Sequence, residues 1–227
     1  MDKLVELYNG EKFKIEQFMK RLVNFFQDNP SLHDGPLPVV HSVKYRMKDN
    51  THLEDKLRRK ISEGRDISKD NFFDEVTDLA GIRVLHLYSR QIEEIHNAII
   101  QEVKSGDLAL FEEPKAYTWD IDSQSFYESL GLKTLVKPSY YTSVHYVLMP
   151  KEGSPIKCEV QVRTLYEEVW GEIDHSINYP YNCESKACIE QLKVLAQLTA
   201  AGTRLANSII TSKNEHDEMK NTHIEEC

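Results

Sequence analysis

The sequence lacks features that would place it in several classes of protein. No apolar run approaches the roughly 18 residues needed to cross a bilayer, and no charged-then-apolar leader opens the chain, so we expect no membrane span and no secretory signal. The four cysteines have no Cys-x-x-Cys spacing, which predicts free thiols in a reducing cytoplasm. The net charge is −9, which argues against extensive unspecific nucleic-acid binding.

What the chain does contain is ordinary for a globular protein. It has 227 residues, of which 29% are charged and 40% hydrophobic. This length suits one domain with terminal elaborations. We expect a helix and connector over residues 1–38, a central domain over 39–181 and a helical extension over 182–227.

The order of predicted elements is α, β, α, β, α, β, β, α, α, which favours an α/β (α+β) fold with a mixed sheet of about five strands flanked by helices. Residues 3–28 are predicted to form the first helix, and 142–149 with 156–162 a hairpin. Residues 107–137 are expected to contain one strand and a loop, and 212–227 to fray.

The most informative stretch begins at Cys158. Alternation there puts three polar side chains on one strand face, namely Glu159, Gln161 and Arg163. From Thr164, a plausible N-cap, apolar residues recur every four positions and predict a helix with one apolar face, formed by Leu165, Val169, Ile173 and Ile177. The polar strand face fits either a solvated edge strand or a reactive site.

A second apolar stripe follows in the C-terminal helical region. It comprises Ile189, Leu192, Leu195, Leu198, Leu205 and Ile209. The stripe favours a helix packed on the parent domain, and an interface between copies of the chain is the alternative.

An acidic residue precedes a predicted buried strand. Asp78 precedes it and Arg83 lies within it, so an internal ion pair is one interpretation. The other is that Asp78 and Glu159 are two hard oxygen ligands for Mg2+, as at sites that also bind substrate phosphates.

A run of cations lies nearby in the sequence, and includes Lys44, Arg46, Lys48, Lys56, Arg58, Arg59 and Lys60. Such a run is usually a solvated face, although beside two acids it also suits a phosphate site. Further along, Tyr141, Ser143 and His145 alternate onto one strand face. A tyrosine there is either core filler or a stacking plate for a purine.

Together these segments resemble the synthetase domain of the RelA/SpoT family, the alarmone (p)ppGpp synthetases. The resemblance covers about residues 40–181, in the family's order. The matching segments are Arg46-x-Lys48 with Lys56, Asp78-Leu-Ala-Gly-Ile-Arg83, Lys137-Pro-Ser-x-Tyr141-x-Ser143-x-His145, Glu159-Val-Gln-Val-Arg163-Thr164, and Trp170-Gly-Glu172 with His175-Ser-Ile-Asn178-Tyr179.

The resemblance implies a nucleotidyltransferase-like synthetase fold over 39–181 and the activity of a GTP pyrophosphokinase. Such an enzyme moves the β,γ-pyrophosphate of ATP to the 3′-hydroxyl of GDP or GTP with Mg2+. Because the chain has no room for a hydrolase domain, it is similar to a small stand-alone alarmone synthetase.

Residue roles also follow from the resemblance. Asp78 and Glu159 would hold Mg2+, and Glu159 would take the proton of the acceptor hydroxyl. The nucleotide-binding set would comprise Arg46 and Arg83 around adenine, Lys48, Lys56 and Arg59 at the ATP phosphates, Tyr141 on the acceptor base, and Ser143, His145, Gln161 and Arg163.

The acceptor motif departs from the family. Where Gly-Tyr-Arg-Ser is common, this chain has Tyr140-Tyr141-Thr142-Ser143. The alternative is therefore a toxic relative, controlled by an antitoxin, that pyrophosphorylates the 3′ end of tRNA or an adenine nucleotide. A possible RNA-facing patch consists of Lys12, Lys14, Lys20 and Arg21. A catalytically dead nucleotide sensor is a further alternative, against which the complete acid pair argues.

Overall fold

The computed structural model describes residues 2–34, 37–178 and 183–225. Its helices are α1 (Asp2–Asp28), α2 (Pro30–His33), α3 (Asn50–Ser62), α4 (Phe72–Glu75), α5 (Gln91–Ser105), α6 (Ile121–Ser129), α7 (Leu165–Asn178) and α8 (Lys186–Glu225). Its strands are β1 (Ser42–Met47), β2 (Ala80–His86), β3 (Ala109–Leu110), β4 (Lys115–Thr118), β5 (Lys133–Val136), β6 (Ser143–Met149) and β7 (Cys158–Thr164).

The strands form one mixed sheet in the order β1-β2-β7-β6-β4-β5, with β3 also paired to β6. The β2–β7 and β4–β5 pairs are parallel and the other pairs are antiparallel. The predicted mixed α+β architecture is confirmed, although the sheet has seven strands rather than about five. The difference arises in residues 107–137, which form three short strands and α6 instead of one strand and a loop.

The β6–β7 hairpin and the start of α7 form as predicted. Val144 pairs with Val162 in the antiparallel hairpin. Thr164 caps α7 reciprocally with Glu167: the Thr164 Oγ1 accepts from the Glu167 N–H at 3.2 Å, and the Glu167 Oε2 accepts from the Thr164 N–H at 2.7 Å. This capping box fixes the point where the polar strand becomes a helix.

The sheet has one apolar and one polar face. On the apolar face, Ile82, Val84, Val160 and Val162 are almost fully buried in a core that includes residues of α1, α3 and α5. The side chains between them point to the opposite face, because successive residues of a strand alternate. Helix α7 lies against β2 and β7 on that polar face.

The predicted apolar face of α7 is wrong, and most of the α8 stripe does not pack on the parent domain. The alternative for the α8 stripe, an interface between copies of the chain, stays a prediction. In α7, Val169 and Ile173 are exposed, whereas Glu168 and Trp170 are buried. In α8, the buried positions are Leu192, Ala196, Thr199 and Thr203, so most of the predicted stripe points to solvent. The Trp170 Nε1 donates to the Leu192 carbonyl at 3.0 Å and so joins α7 to α8.

The C-terminal segment is also more regular than predicted. Helix α8 continues to Glu225, whereas fraying was expected from residue 212. In the part of the chain that the structure describes, no helix has the length and apolarity to cross a bilayer.

Candidate active site

Strand register brings the candidate residues into rows across the polar face. Arg46 lies opposite Gly81, which lies opposite Glu159. In the next row Lys44, Arg83, Gln161 and His145 are neighbours on β1, β2, β7 and β6. Paired positions share a face of the sheet, so residues from four strands point into the same space.

Three adjoining cavities occupy this space. The central cavity, of about 250 Å³, is lined by residues that include Arg46, Asp78, Gly81, Arg83, Glu159, Gln161, Glu172 and His175. A second cavity beside it, called the basic cavity after its four cations, is lined by Arg46, Lys48, Lys56 and Arg59, by the acids Asp49, Asp55 and Asp78, and by Met47, His52 and His175. The aromatic cavity on the other side is lined by Tyr117, Lys137, Ser139, Tyr141, His145, Glu159 and Asp174. Asp78 and Glu159 therefore lie at the two boundaries of the central cavity.

The two acids are held in different environments. Asp78 Oδ2 is 3.1 Å from Lys48 Nζ, and its Oδ1 is 2.7 Å from Lys56 Nζ. Burial raises the pKa of Asp78, but the charges of Lys56 and Lys48 outweigh burial and lower it overall. An internal ion pair of Asp78 is thus present, with these lysines rather than with Arg83.

Glu159 is oriented by its neighbours on β6 and β7. Gln161 Nε2 donates to Glu159 Oε2 at 2.9 Å, and His145 Nδ1 lies 3.3 Å from Glu159 Oε1. Burial and the negative charge of Asp78 both raise the pKa of Glu159. The hydrogen bond and charge of His145 outweigh them and bring the pKa of Glu159 below its ordinary value. Both carboxylates line the central cavity.

This pair of acids fits a divalent cation. Asp78 Oδ1 is buried and lies 2.7 Å from Lys56 Nζ as one half of an ion pair. A buried, negatively charged oxygen of this kind is a suitable metal ligand. Within the described residues, no group of three or more His, Cys, Asp or Glu side chains is arranged around a metal position. Two carboxylates are the usual protein contribution where substrate phosphates supply further ligands.

The predicted donor residues are brought together. Arg46 is exposed on edge strand β1 and lines both the central and the basic cavity, while Lys48, Lys56 and Arg59 line the basic cavity. Lys48 is placed by the end of β1, and its carbonyl accepts a 2.5 Å hydrogen bond from the hydroxyl of Tyr8 in α1. Lys56 and Arg59 lie in α3. Asp49 caps the N-terminus of this helix, where its side chain accepts a hydrogen bond from the His52 N–H at 2.9 Å.

Arg83 is fixed by two acids of α7 that the sequence reasoning did not identify as partners. Its guanidinium forms ion pairs with Glu172 and, at 3.2 Å, with Glu168. Glu168 also accepts from Lys44 Nζ at 2.9 Å and pairs with Arg163. Burial raises the pKa of Glu168, but the three cations lower it overall. One buried carboxylate therefore ties α7 to the polar face of the sheet.

Arg163 and Ser143 lie beneath the cleft rather than on its surface. Arg163 is 3% exposed, and its guanidinium carbon is 5.9 Å from the centroid of the Tyr141 ring. The guanidinium lies so close to Gly171 that an added Cβ there would be 2.7 Å from Arg163 Nη1. Ser143 is fully buried, with its Oγ donating to the Val162 carbonyl at 3.4 Å. The nucleotide contacts expected of these two residues remain predictions.

The aromatic cavity contains the predicted Tyr141 and His145. The Tyr141 hydroxyl and His145 Nε2 are 2.9 Å apart, and His145 contacts the ring of Tyr117 edge to face at 4.8 Å between centroids. Lys137 Nζ lies 4.7 Å from the Tyr117 centroid. Tyr117 was not predicted from the sequence, although the alternation of Lys115, Ala116 and Tyr117 on β4 is a signal that could have identified it.

Two other sequence-based expectations look different in the structure. Thr142 is 7% exposed and lines a small internal cavity of about 40 Å³, so its side chain does not face the acceptor side. In the supposed RNA-facing patch, Lys14 and Lys20 pair with Glu11 and Glu16 one helical turn away. These pairings leave the patch with less unbalanced charge than the sequence suggested.

The chain is similar to several known proteins. The GTP pyrophosphokinase YwaC of Bacillus subtilis (strain 168) is 25% identical over 193 residues, which cover 82% of this chain and 80% of that protein. A GTP pyrophosphokinase family protein from Streptococcus pneumoniae superimposes with a TM-score of 0.68 at 19% identity, covering 93% of this chain and 94% of that one. The small alarmone synthetase 1 of Bacillus subtilis bound to its product pppGpp gives a TM-score of 0.64 at 18% identity, covering 96% and 100%.

The family comparison covers most of the cleft. The model for the region found in RelA / SpoT proteins matches residues 45–184, which is more than half of the chain. The matched range begins within β1 and runs through α7, and it includes Arg46, Arg83, Tyr141 and Glu159. The chain belongs to the RelA/SpoT family.

Proposed function

We propose that this chain is a GTP pyrophosphokinase that transfers the β,γ-pyrophosphate of ATP to the 3′-hydroxyl of GDP or GTP and so makes (p)ppGpp. One observation carries the proposal. Asp78 and Glu159 border a single cavity that opens on one side to a basic cavity and on the other to an aromatic cavity. This arrangement suits a triphosphate donor and a purine acceptor meeting at two carboxylates.

The donor binds in the central and basic cavities. Arg46 and Arg83 stack on the two faces of adenine, since a planar guanidinium stacks well on a π-system. Lys48, Lys56 and Arg59 neutralise the phosphates. Binding of ATP replaces the pairing of Lys48 and Lys56 with Asp78 by pairing with phosphate oxygens, which frees the Asp78 carboxylate.

The acceptor binds in the aromatic cavity. Its purine stacks on Tyr141, and Lys137 meets its phosphates. Asp174 lines the same cavity, and its Oδ1 accepts from Asn178 Nδ2 at 2.8 Å. A carboxylate can accept from the N1–H and N2–H₂ of guanine, whereas adenine offers an acceptor at N1. Asp174 therefore favours a guanine acceptor.

Glu159 acts as the general base. Its lowered pKa keeps it ionised at neutral pH, and it borders the aromatic cavity where the acceptor ribose would lie. The acceptor 3′-oxygen attacks the β-phosphorus of ATP, the bond from that phosphorus to the α-phosphate oxygen breaks, and AMP leaves. The hydroxyl proton passes to Glu159. Positioning and charge neutralisation supply most of the rate in such a transfer.

Mg2+ is the cofactor that suits this chemistry. Asp78 and Glu159 would hold it, and it would neutralise charge on the transferred pyrophosphate. The position of Asp78 and Glu159 on the lining of one cavity is the feature of the chain that best supports this assignment.

A transfer assay with purified protein tests the proposal. ATP labelled on its γ-phosphate is offered with GDP, GTP, ADP or deacylated tRNA in separate reactions, with and without Mg2+. We expect labelled guanosine products from GDP and GTP at similar efficiency, and none without Mg2+. Labelled tRNA or adenosine product, with no labelled guanosine product, would overturn the choice of acceptor.

A further inference from the structure

The acceptor loop contains a residue in an unusual backbone conformation. Tyr140 has a φ of 64°, and among the described residues it is the one non-glycine with a positive φ. Its N–H donates to the Lys137 carbonyl at 3.3 Å, which closes the turn that precedes β6. A side chain makes this left-handed conformation costly, so surrounding contacts must hold it in place.

The contact that can hold it is aromatic. The rings of Tyr140 and Trp119 are 4.9 Å apart between centroids, with their planes inclined by 58°. Both residues line the small internal cavity that Thr142 also lines. Trp119 directly follows β4, so the ring contact joins the acceptor loop to the strand that carries Tyr117.

Neighbouring residues of the same turn line the aromatic cavity. Lys137, Ser139 and Tyr141 all do so, while Tyr140 lies against Trp119 on the other side. The left-handed residue between Ser139 and Tyr141 allows consecutive aromatic side chains to serve two cavities. Fixing Tyr140 thus restrains the backbone that places Tyr141, while the hydroxyl of Tyr141 is held by His145.

We propose that Tyr140 and Trp119 form an aromatic clamp that positions the acceptor loop, and hence Tyr141, for the incoming purine. The inference rests on the proposed function for its consequence in catalysis. Tyr140 and Trp119 are positioning residues, because they act through Tyr141 and do not line the aromatic cavity themselves. Their loss should affect the acceptor and leave the donor site unchanged.

Three substitutions of Tyr140 separate the ring from the backbone. Tyr140→Phe keeps the ring, Tyr140→Ala removes it and retains the cost of a side chain at positive φ, and Tyr140→Gly removes both. With GDP as acceptor, we expect the Ala and Gly variants and Trp119→Leu to raise the acceptor KM roughly two- to tenfold, the range expected for loss of one aromatic pair. The KM for ATP should not change, and Tyr140→Phe should behave as the wild type.

Thermal melting provides a second comparison within the series. Tyr140→Ala should melt about 2–4 °C or more below Tyr140→Gly, because only glycine tolerates the left-handed backbone without cost. Phe13→Leu, on the exposed surface of α1, is the control for loss of an aromatic ring far from the cleft.

Hydrogen exchange of the amides in residues 137–142 tests the clamp without any substrate. Exchange should accelerate in Tyr140→Gly and Trp119→Leu and stay at the wild-type rate in Tyr140→Phe and Phe13→Leu. Unchanged exchange and an unchanged acceptor KM in Tyr140→Gly would overturn the proposal. A wild-type protein that makes no guanosine product would instead overturn the proposed function, while the exchange result would still decide whether the clamp exists.

Discussion

The donor and acceptor halves of the cleft are held in place by different forces. In the donor half, charges dominate: Asp78 pairs with two lysines, and Glu168 binds Lys44, Arg83 and Arg163. In a partly buried site such pairs depend on every member being present, because an unpartnered buried charge is very unfavourable.

Rings dominate the acceptor half. Tyr117, Tyr141 and His145 contact one another with centroids 4.8 to 6.3 Å apart, and Trp119 packs on Tyr140 behind them. Each such contact contributes about 0.5–1.5 kcal/mol beyond burial and does not require a charge partner. A substitution in the donor half should therefore lower stability as well as affinity for the nucleotide. A substitution in the acceptor half should mainly lower affinity.

The largest effect is expected where the halves meet. Glu159→Gln should reduce kcat by about a thousandfold, because it removes the general base and a charged metal ligand. Both KM values should stay close to those of the wild type, which steady-state kinetics with each substrate varied would measure. Glu152→Gln, an exposed residue in the turn of the same hairpin, is the control. A selective rise in only one KM would assign Glu159 to one half of the cleft.

Glu168→Gln tests whether charge holds the donor half. It weakens the partner of the buried Arg163 and should lower the free energy of unfolding by about 3 kcal/mol, as loss of one member of a buried ion pair does. Melting should fall by about 6–12 °C. Glu172→Gln is the matched control, because Glu172 also lies in α7 and pairs with Arg83 but is half exposed. This substitution should lower the free energy of unfolding by less than about 1 kcal/mol. Equal losses in the two variants would contradict the comparison.

Tyr141→Ala sharpens the acceptor side. It removes the stacking surface, which is worth about 1–3 kcal/mol per base, so the KM for GDP should rise by about 5- to 150-fold. The KM for ATP should stay at the wild-type value, and near-ultraviolet circular dichroism would confirm that the fold is intact. A matching rise in the KM for ATP would mean that Tyr141 supports the donor site through Arg163.

Arg83→Ala is the reciprocal test. Loss of its stacking guanidinium should raise the KM for ATP by about tenfold and leave the KM for GDP unchanged. Equal increases for both substrates would indicate that Arg83 serves mainly as a structural partner of Glu168 and Glu172.

The smallest effect separates charge from ring contacts by pH. The pKa of Glu168 lies below its unfolded value, so its contribution is present above pH about 4.5 and is lost as pH falls through the folded pKa. The destabilisation by Glu168→Gln should therefore shrink at acidic pH, whereas that by Trp119→Leu should not. Urea denaturation at neutral and acidic pH would measure both. If the destabilisation by Glu168→Gln does not depend on pH, the packing of the Glu168 side chain matters more than its charge.

Periodicity predicted which elements form better than it predicted what they touch. Spacing of four identified α7 correctly, yet Val169 and Ile173 face solvent while Glu168 is buried. The reversal follows from the three cations that meet Glu168, and two of them come from strands far away in the sequence. A pattern of hydrophobicity contains no information about such partners.

Motif order predicted which side chains lie close together better than local pattern did. The polar residues predicted from separate segments, such as Arg46, Asp78, Tyr141 and Glu159, do converge on adjoining cavities. The left-handed Tyr140 and its contact with Trp119 could not be predicted, because the conformation depends on a ring about 20 positions earlier in the chain. Residues 109–136 were missed because their strands are only two to four residues long, too short to show a period.

The parallel pairing of β2 with β7 has a consequence for the growing chain. Gly81 and Glu159 are partners in this pair, but they are separated by nearly 80 residues, so the loop that must close is long. During synthesis β2 emerges well before β7, so one edge of β2 stays unpaired until β7 has been made. Contacts this distant also slow folding. Asp78 is therefore made early, and it meets Glu159, the other carboxylate of the cleft, only after β7 has been synthesised and has paired with β2.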